Sequence, residues 1–402
     1  MNNPGPETDF DIVVVGAGLV GSPLAQVLSE QGWRVALLDQ RPSSGVDLLD
    51  SVDGGLSQRC TALSLGSKYW FDRQGLWQPL NEDACPIRQV VISQKGQFGS
   101  TRLRAAEMNV DALGYVINNE LLTGKLLQLI GNSSVHFVPD STVTRVSAEE
   151  QLINVYHGTA ALSARLLIAA DGVSSSVREC LGTAVRTHDY DQSAVLGMLS
   201  LETDHNNVAF ERFTETGPLA LLPRPGNLMN FVECIDSSEV QQVSQLDDDH
   251  YRQRLQQRFG MRLGRFDGVG PRHIISLNRI EAAQQIAPRT LLLGNAARLL
   301  HPVGGQGYNL AIRDIAQLQR LLGECITASG LADPGKADLL SHFVKLRASD
   351  QRRTVQFTHT LARSFRGRSE MPAKIRALGL VGLDTVSPLR DWFTRSTMGL
   401  SA

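Results

Sequence analysis

Apolar positions along the chain fall into short, nearly uninterrupted runs: Ile12–Val15, Val35–Leu38, Leu166–Ala170 and Leu291–Leu293. Runs of this length read as strands buried on both faces, as in a parallel sheet between covering layers. Helical stretches follow two of them, at Leu24–Leu28 and Leu310–Leu322. Between these, Ser193–Leu201 and Leu228–Cys234 alternate apolar with polar and predict an inserted antiparallel sheet. Beyond Gly335, residues such as Phe343, Leu346, Phe357 and Leu361 interleave with basic ones, which predicts amphipathic helices. The expected architecture is therefore α/β in three parts. A three-layer domain built on a parallel sheet takes 9–80, 110–184 and 276–335; a mixed or antiparallel sheet domain takes 81–109 and 185–275; a helical C-terminal region takes 336–402. The segment Pro42–Gly55, rich in Ser, Gly and Asp, reads as an exposed loop.

The turns between these elements carry the chemistry. The first strand runs straight into Gly16-Ala17-Gly18-Leu19-Val20-Gly21 and then a helix. Gly16 permits the tight turn, Gly18 lets backbone approach a pyrophosphate, and Gly21 lets helix and strand pack closely. The helix start offers free N–H groups to phosphate. Asp39 ends the second strand, 23 positions after Gly16, where a carboxylate accepts hydrogen bonds from a ribose. Strand, motif, helix, strand and acid in this order describe a Rossmann-like adenine-dinucleotide site, without choosing between FAD and NAD.

Two later segments bear on that choice. The strand ending at Ala170 opens into Asp171-Gly172-Val173-Ser174-Ser175-Ser176-Val177-Arg178. Taken alone, this is a turn and a Ser-capped helix. The strand at Leu291–Leu293 opens into Gly294-Asn295-Ala296-Ala297 and His301-Pro302-Val303-Gly304-Gly305-Gln306-Gly307-Tyr308-Asn309. Glycines beside a proline put bare backbone at a helix start, which suits the anionic edge of a reduced flavin.

Together these three segments resemble the fingerprints of the class A FAD-dependent aromatic hydroxylases, over essentially the whole chain. The stretch Phe210–Pro223 and the motif Gly294–Leu310 look like the ubiquinone-biosynthesis branch, closest to its 2-polyprenyl-6-methoxyphenol hydroxylases. The resemblance implies that FAD is held by Gly16, Gly18, Gly21, Asp39, Arg59, Asp171, Gly172, Gly294, Asn295, Pro302, Gly304, Gly305, Gln306, Gly307 and Asn309. Arg59 has a second reading, a surface arginine at a helix start. Asn295 stands where most of the wider family has Asp; an amide still donates and accepts hydrogen bonds. The implied reaction uses NADH or NADPH as transient reductant and O2 as co-substrate, forms a C4a-hydroperoxyflavin, and hydroxylates a hydrophobic prenylated phenol. No side chain is assigned as a catalytic nucleophile. His301 is a weak candidate to influence substrate ionisation, with a structural role in the Pro302 turn equally open. Leu219, Leu221, Leu222 and Pro223 are equally open to two fates, pocket lining or core.

Composition adds exclusions. The 402 residues are 42% hydrophobic and 20% charged with net charge −2, so nothing points to nucleic acid. Five scattered cysteines and nine histidines show no metal-ligand spacing. The expected setting is cytoplasmic: the start lacks a basic-then-apolar leader, and no run approaches the ~20 apolar residues of a spanning helix. Ser341–Arg376 nevertheless carries nine Lys or Arg against two acids, which suggests peripheral contact with an anionic membrane surface on its inner face. A ubiquinone-biosynthesis complex is a further expected partner. Three alternatives stay open: a flavin enzyme acting at another ring position, a prenyl reductase, and a non-catalytic subunit of such a complex. A halogenase is disfavoured because the tryptophans form no W-x-W-x-I-P pattern.

Overall fold

A computed structural model describes residues 7–41, 59–327, 330–364 and 370–400. The expected loop Pro42–Gly55 lies outside them. Among the described residues the main strands form three sheets. The first contains β1 (Phe10–Val15), β2 (Val35–Leu38), β8 (His136–Val138), β11 (Ala160–Ala169), β18 (Ile286–Ala287) and β19 (Thr290–Leu292), with an arm of β9 (Val143–Ala148) and β10 (Ile153–His157). Its centre is parallel: β2 and β11 flank β1, and β19 follows β11. The second, nine-stranded sheet contains β5 (Gln89–Gln94), β6 (Ser100–Arg104), β12 (Val185–Leu201), β13 (Val208–Thr214), β14 (Gly217–Arg224), β15 (Leu228–Asp236), β16 (Phe266–Val269), β17 (His273–Ala282) and β20 (Arg298–Leu299). A small third sheet, β3 (Cys60–Ser64), β4 (Cys85–Ile87) and β7 (Gly114–Asn118), joins the two.

Helices α1 (Gly21–Glu30), α2 (Leu65–Arg73), α3 (Asn119–Gly131) and α7 (Gln306–Glu324) cover one face of the parallel sheet. There Leu24 and Leu28 meet Leu122, Ile130 and Ile315 in one core. The opposite face is closed by the β9–β10 arm and the short α4 (Ser176–Cys180), through Val143, Val155 and Val177. This second sheet, antiparallel except for the parallel pair β5–β13, is covered on its outer face by α5 (Val240–Ser244) and α6 (Asp248–Phe259). Glu233, fully buried on β15, fixes α6 by accepting from Tyr251 at 2.6 Å and pairing with Arg258 at 2.6 Å. β17 stays paired with β12 as far as Ala282, so this sheet continues past residue 275, where the sequence pattern ended it.

The C-terminal helices α8 (Ala337–Ser364), α9 (Glu370–Thr385) and α10 (Ser387–Thr397) pack back on the rest. Arg347, expected as part of a basic surface, is buried on α8 and pairs with Asp314 of α7 at 2.6 Å, while Arg313 meets Asp350 at 2.8 Å. α9 is tied to β6 by Thr101 donating to the Leu380 carbonyl (2.7 Å) and by Asp384 accepting from the Arg102 amide (2.8 Å). No described helix is long and apolar enough to cross a membrane.

Candidate active site

The three glycine-bearing segments meet on one wall of a cavity of about 950 Å³. Gly16 has φ 102°, and a Cβ there would lie 2.5 Å from the Ala170 carbonyl oxygen, so the first turn is pressed against the second. A Cβ at Gly21 would fall 1.9 Å from the Gly16 oxygen, whereas one at Gly18 would meet nothing within 4 Å. Gly21 therefore serves packing and stands off the cavity; Gly18 faces open space where a ligand can lie against the backbone. The start of α1 has no side-chain cap; the Ser22 amide already donates to the Gly18 carbonyl, so an anion here meets the turn backbone that leads into the helix.

Asp39 lines the same wall, but its carboxylate is already engaged. Oδ2 accepts from the Ala17 amide at 2.5 Å, and Oδ1 accepts from both the amide and Nε of Arg41 at 2.8 Å. Burial pushes its pKa up, but the Arg41 and Ala17 hydrogen bonds outweigh this and hold it below the usual carboxylate value. Arg41 is a site residue that the motif spacing did not reveal; the available signal was a base two residues after the acid. Arg59 starts the segment into β3, a strand rather than a helix, and is exposed outside the cavity lining.

At the second turn, Asp171 Oδ2 accepts from Ser176 Oγ and the Val177 amide, both at 3.2 Å. Its Oδ1 is buried without a partner among the described residues, in a side chain that lines the cavity. Arg178 crosses to the third segment and donates to the Ala296 carbonyl at 3.0 Å. There Gly294, Gly304 and Gly305 adopt φ of 55°, 68° and 60°, left-handed values that open the turn. The chain enters α7 at Gln306, four residues earlier than apolar spacing indicated, and this helix start also lacks a side-chain cap. Asn295 is exposed to the cavity, and Gly172, Pro302 and Gly307 line it.

Asn309 is a strut. Its Nδ2 donates to the Ala62 and Gly305 carbonyls at 2.9 and 2.8 Å, and its Oδ1 accepts from the Ser64 amide and Ser67 Oγ at 2.8 and 2.7 Å. All its polar capacity goes into holding β3 against the helix start. His301 is buried, accepts from the Val303 amide through Nδ1 at 3.2 Å, and stacks edge-on against Tyr190. Burial pushes its pKa down to about 4, so it is neutral near pH 7.

The facing wall is the inner side of the antiparallel sheet. Because side chains alternate along a strand, β14 turns Pro218, Ala220 and Leu222 to the cavity. Leu219 and Leu221 go to the other side, fully buried beneath α6. Of the four apolar residues singled out from sequence, only Leu222 lines the cavity; Leu219 and Leu221 are core, and Pro223 is buried away from it. On β13 the same alternation brings Glu211 inward, a residue that sequence reasoning passed over. Phe357 and Leu361 of α8, Leu380 and Leu383 of α9 and Phe393 of α10 close the cavity with apolar surface.

The polar groups fit FAD: open backbone at Gly18 and two uncapped helix starts for its phosphates and ring edge, and the unpartnered Asp171 Oδ1 to accept from a hydroxyl, all line one cavity. Comparison with known proteins agrees. The sequence profile of the FAD binding domain matches residues 9–358. A ubiquinone hydroxylase, UbiL of Rhodospirillum rubrum, is 33% identical over 397 residues, covering 97% of this chain and 89% of that one. The 3-demethoxyubiquinol 3-hydroxylase of Escherichia coli is 28% identical, covering 77% and 78% of the two chains. The solved p-nitrophenol 4-monooxygenase PnpA of Pseudomonas putida shares the fold, with a TM-score of 0.75 at 16% identity over 98% of this chain and 99% of that one. This chain belongs to the FAD binding domain family, and it is an FAD-dependent monooxygenase that takes its electrons from NADH or NADPH and its oxygen atom from O2.

Proposed function

We propose that the protein hydroxylates the ring of a prenylated phenol, 2-polyprenyl-6-methoxyphenol, in ubiquinone biosynthesis. One observation carries this reading: the cavity runs from the dinucleotide wall to a wall and roof of almost purely apolar side chains, suited to a ring bearing a hydrocarbon tail. The names of the relatives, a ubiquinone hydroxylase and a demethoxyubiquinol hydroxylase, support the substrate class.

Gly16, Gly18, Asp39 and Arg41 would hold the adenosine and pyrophosphate part of FAD, Asp171 and Asn295 the ribityl chain, and the backbone of Gly304–Gly307 the ring edge. Bound FAD supplies the activation of O2 and the oxygen atom that enters the ring. The chain supplies position and dryness. Leu222, Ala220 and Pro218 set one side of the ring, and Leu380, Leu383 and Phe393 exclude water from it.

The test is anaerobic stopped-flow absorbance of the FAD-loaded chain with NADH or NADPH, with and without a short-chain 2-prenyl-6-methoxyphenol, followed by O2 and product mass. Faster flavin reduction with the phenol, and a product heavier by one oxygen, are expected. Reduction indifferent to every phenol tried would move the reading to another flavin substrate.

Membrane contact is part of the same proposal. Lys345, Arg352, Arg353 and Arg363 are exposed on α8, although Arg347 is consumed by Asp314. Arg366, Arg368 and the side chains of Lys374 and Arg376 lie outside the described residues. Exposed Leu389 and Trp392 on α10 add apolar surface. Flotation with anionic but not zwitterionic vesicles is expected, and no flotation with either refutes the contact.

A further inference from the structure

Glu211 is an acid in the wrong surroundings for a structural residue. On β13 it sits opposite Ile92 of β5 and Ala220 of β14, and beyond Ala220 comes Val232 of β15. All four side chains line the cavity. Oε1 is buried and has no hydrogen-bond partner among the described residues. Its neighbour Arg212 points to the opposite face, where it donates to the Arg258 carbonyl. The residue as a whole is half-buried and opens to the cavity, but Oε1 has lost its water with no protein donor in its place, which weakens a fold. What it lacks is a donor, and the one place a donor can come from is the cavity.

Resting on the phenol-hydroxylase reading above, we propose that Glu211 is the base of the reaction, accepting a hydrogen bond from the substrate's phenolic O–H and taking its proton as the ring is hydroxylated. The O–H bond breaks, its electron pair stays on the phenol oxygen, and the proton forms the O–H of the Glu211 carboxylic acid. Electron density rises at the ring carbons ortho and para to that oxygen, the positions that attack an electrophilic oxygen atom. The ring carbon takes one oxygen of the flavin-activated O2 as the O–O bond breaks. It then releases its hydrogen as a proton to the other oxygen, which leaves as water, the C–H electron pair restores aromaticity, and the phenol oxygen takes its proton back from Glu211, which is again a carboxylate.

The strength of the base suits the step. Burial pushes the Glu211 pKa up to about 7, against roughly 10 for a free phenol. Full ionisation of the resting phenol is not required, since its O–H becomes strongly acidic as the new C–O bond forms. A base near the working pH is then best matched. The other candidate, His301, is weaker as a base, with its pKa pushed down to about 4 and Nδ1 committed to Val303.

Few charges compete for Glu211. On the sheet wall the second titratable group is Cys234 of β15, a buried thiol raised by burial and further by the charge of Glu211. From the loop before α7 comes the neutral His301, and the described side chains that α8, α9 and α10 turn to the cavity are uncharged. A pH step in substrate binding near 7 therefore belongs to Glu211.

The experiment uses the full FAD-loaded chain as wild type, Glu211→Gln and Glu211→Asp. Binding of a short-chain 2-prenyl-6-methoxyphenol and of its O-methyl ether is followed across the interval around pH 7 by flavin fluorescence, alongside product formed per NADH or NADPH oxidised. In the wild type the phenol should bind roughly three- to tenfold more tightly as pH rises through the step, because a charged acceptor replaces a neutral one. The ether, having no proton to donate, should show no step. Glu211→Gln should abolish the step and lower the product yield by about tenfold or more while reductant oxidation continues. Glu211→Asp should keep the step with a moved midpoint. A Gln variant with an unchanged binding step and an unchanged yield would overturn the assignment, as would an equal step for the ether. A wild type that reduces its flavin but hydroxylates no phenol would overturn the substrate reading and this inference with it.

Discussion

Replacing Asn309 with Ala separates a strut from a ligand. The substitution strands four groups: the Ser64 amide, Ser67 Oγ, and the Ala62 and Gly305 carbonyls. At about 1 kcal/mol net per hydrogen bond, the loss is ~4 kcal/mol before compensation. Ser67 Oγ keeps a contact with Ser64 Oγ at 3.1 Å, and the Ala62 and Gly305 carbonyls border the cavity, where water can reach them. The expected loss is therefore about 2 to 3 kcal/mol. For a chain of this length, that corresponds to a fall in Tm of roughly 3 °C if it unfolds as one unit. The assay is thermal and urea unfolding of the apoprotein beside FAD titration. Apoprotein destabilised by this amount, with weaker FAD binding following from displaced backbone, fits a strut. If the apoprotein lost less than about 0.5 kcal/mol while FAD affinity collapsed, Asn309 would act by touching the cofactor and not as a strut.

Other expectations follow from the same geometry. Gly18→Ala should fold normally and bind FAD about tenfold more weakly, whereas Gly21→Ala should fail to give folded protein, because its Cβ meets the Gly16 oxygen; circular dichroism and fluorescence titration distinguish the two. Leu219→Ala should cost about 3 kcal/mol in urea unfolding, while Leu222→Ala should leave stability nearly unchanged and raise KM for the prenylated substrate. His301 has a folded pKa of about 4 against 6.5 unfolded, so protons favour the unfolded chain as pH falls from 6.5 toward 4. That loss is on the order of 3 kcal/mol, and it should shrink in His301→Phe; an unchanged acid limb in that variant counts against the buried-imidazole account.

The parts of the site readable from sequence are those whose geometry is local. Gly16 and Gly21 announce a turn between strand and helix because backbone conformation at the first and close approach at both forbid a Cβ there, while Gly18 leaves open backbone for a ligand. The same logic exposed Asp171-Gly172 and Gly304-Gly305. Apolar runs of three to five residues marked the parallel strands, since a strand covered on both faces tolerates little else.

What the sequence determined by itself was therefore the nucleotide-binding framework: its strands, its turns and the order in which they meet. Only the tertiary structure decided which parity of a strand faces the substrate. Leu219 and Leu222 look alike in sequence, yet α6 takes one side of β14 and the cavity takes the other. Equally, nothing local says that Asn309 spends its amide on β3, that Arg41 closes on Asp39, or that Arg347 is lost to Asp314. Glu211 reads as an ordinary polar residue until β5, β14 and β15 surround it with apolar side chains. Its chemistry comes from lost water and missing partners, and those depend on segments far apart in the chain.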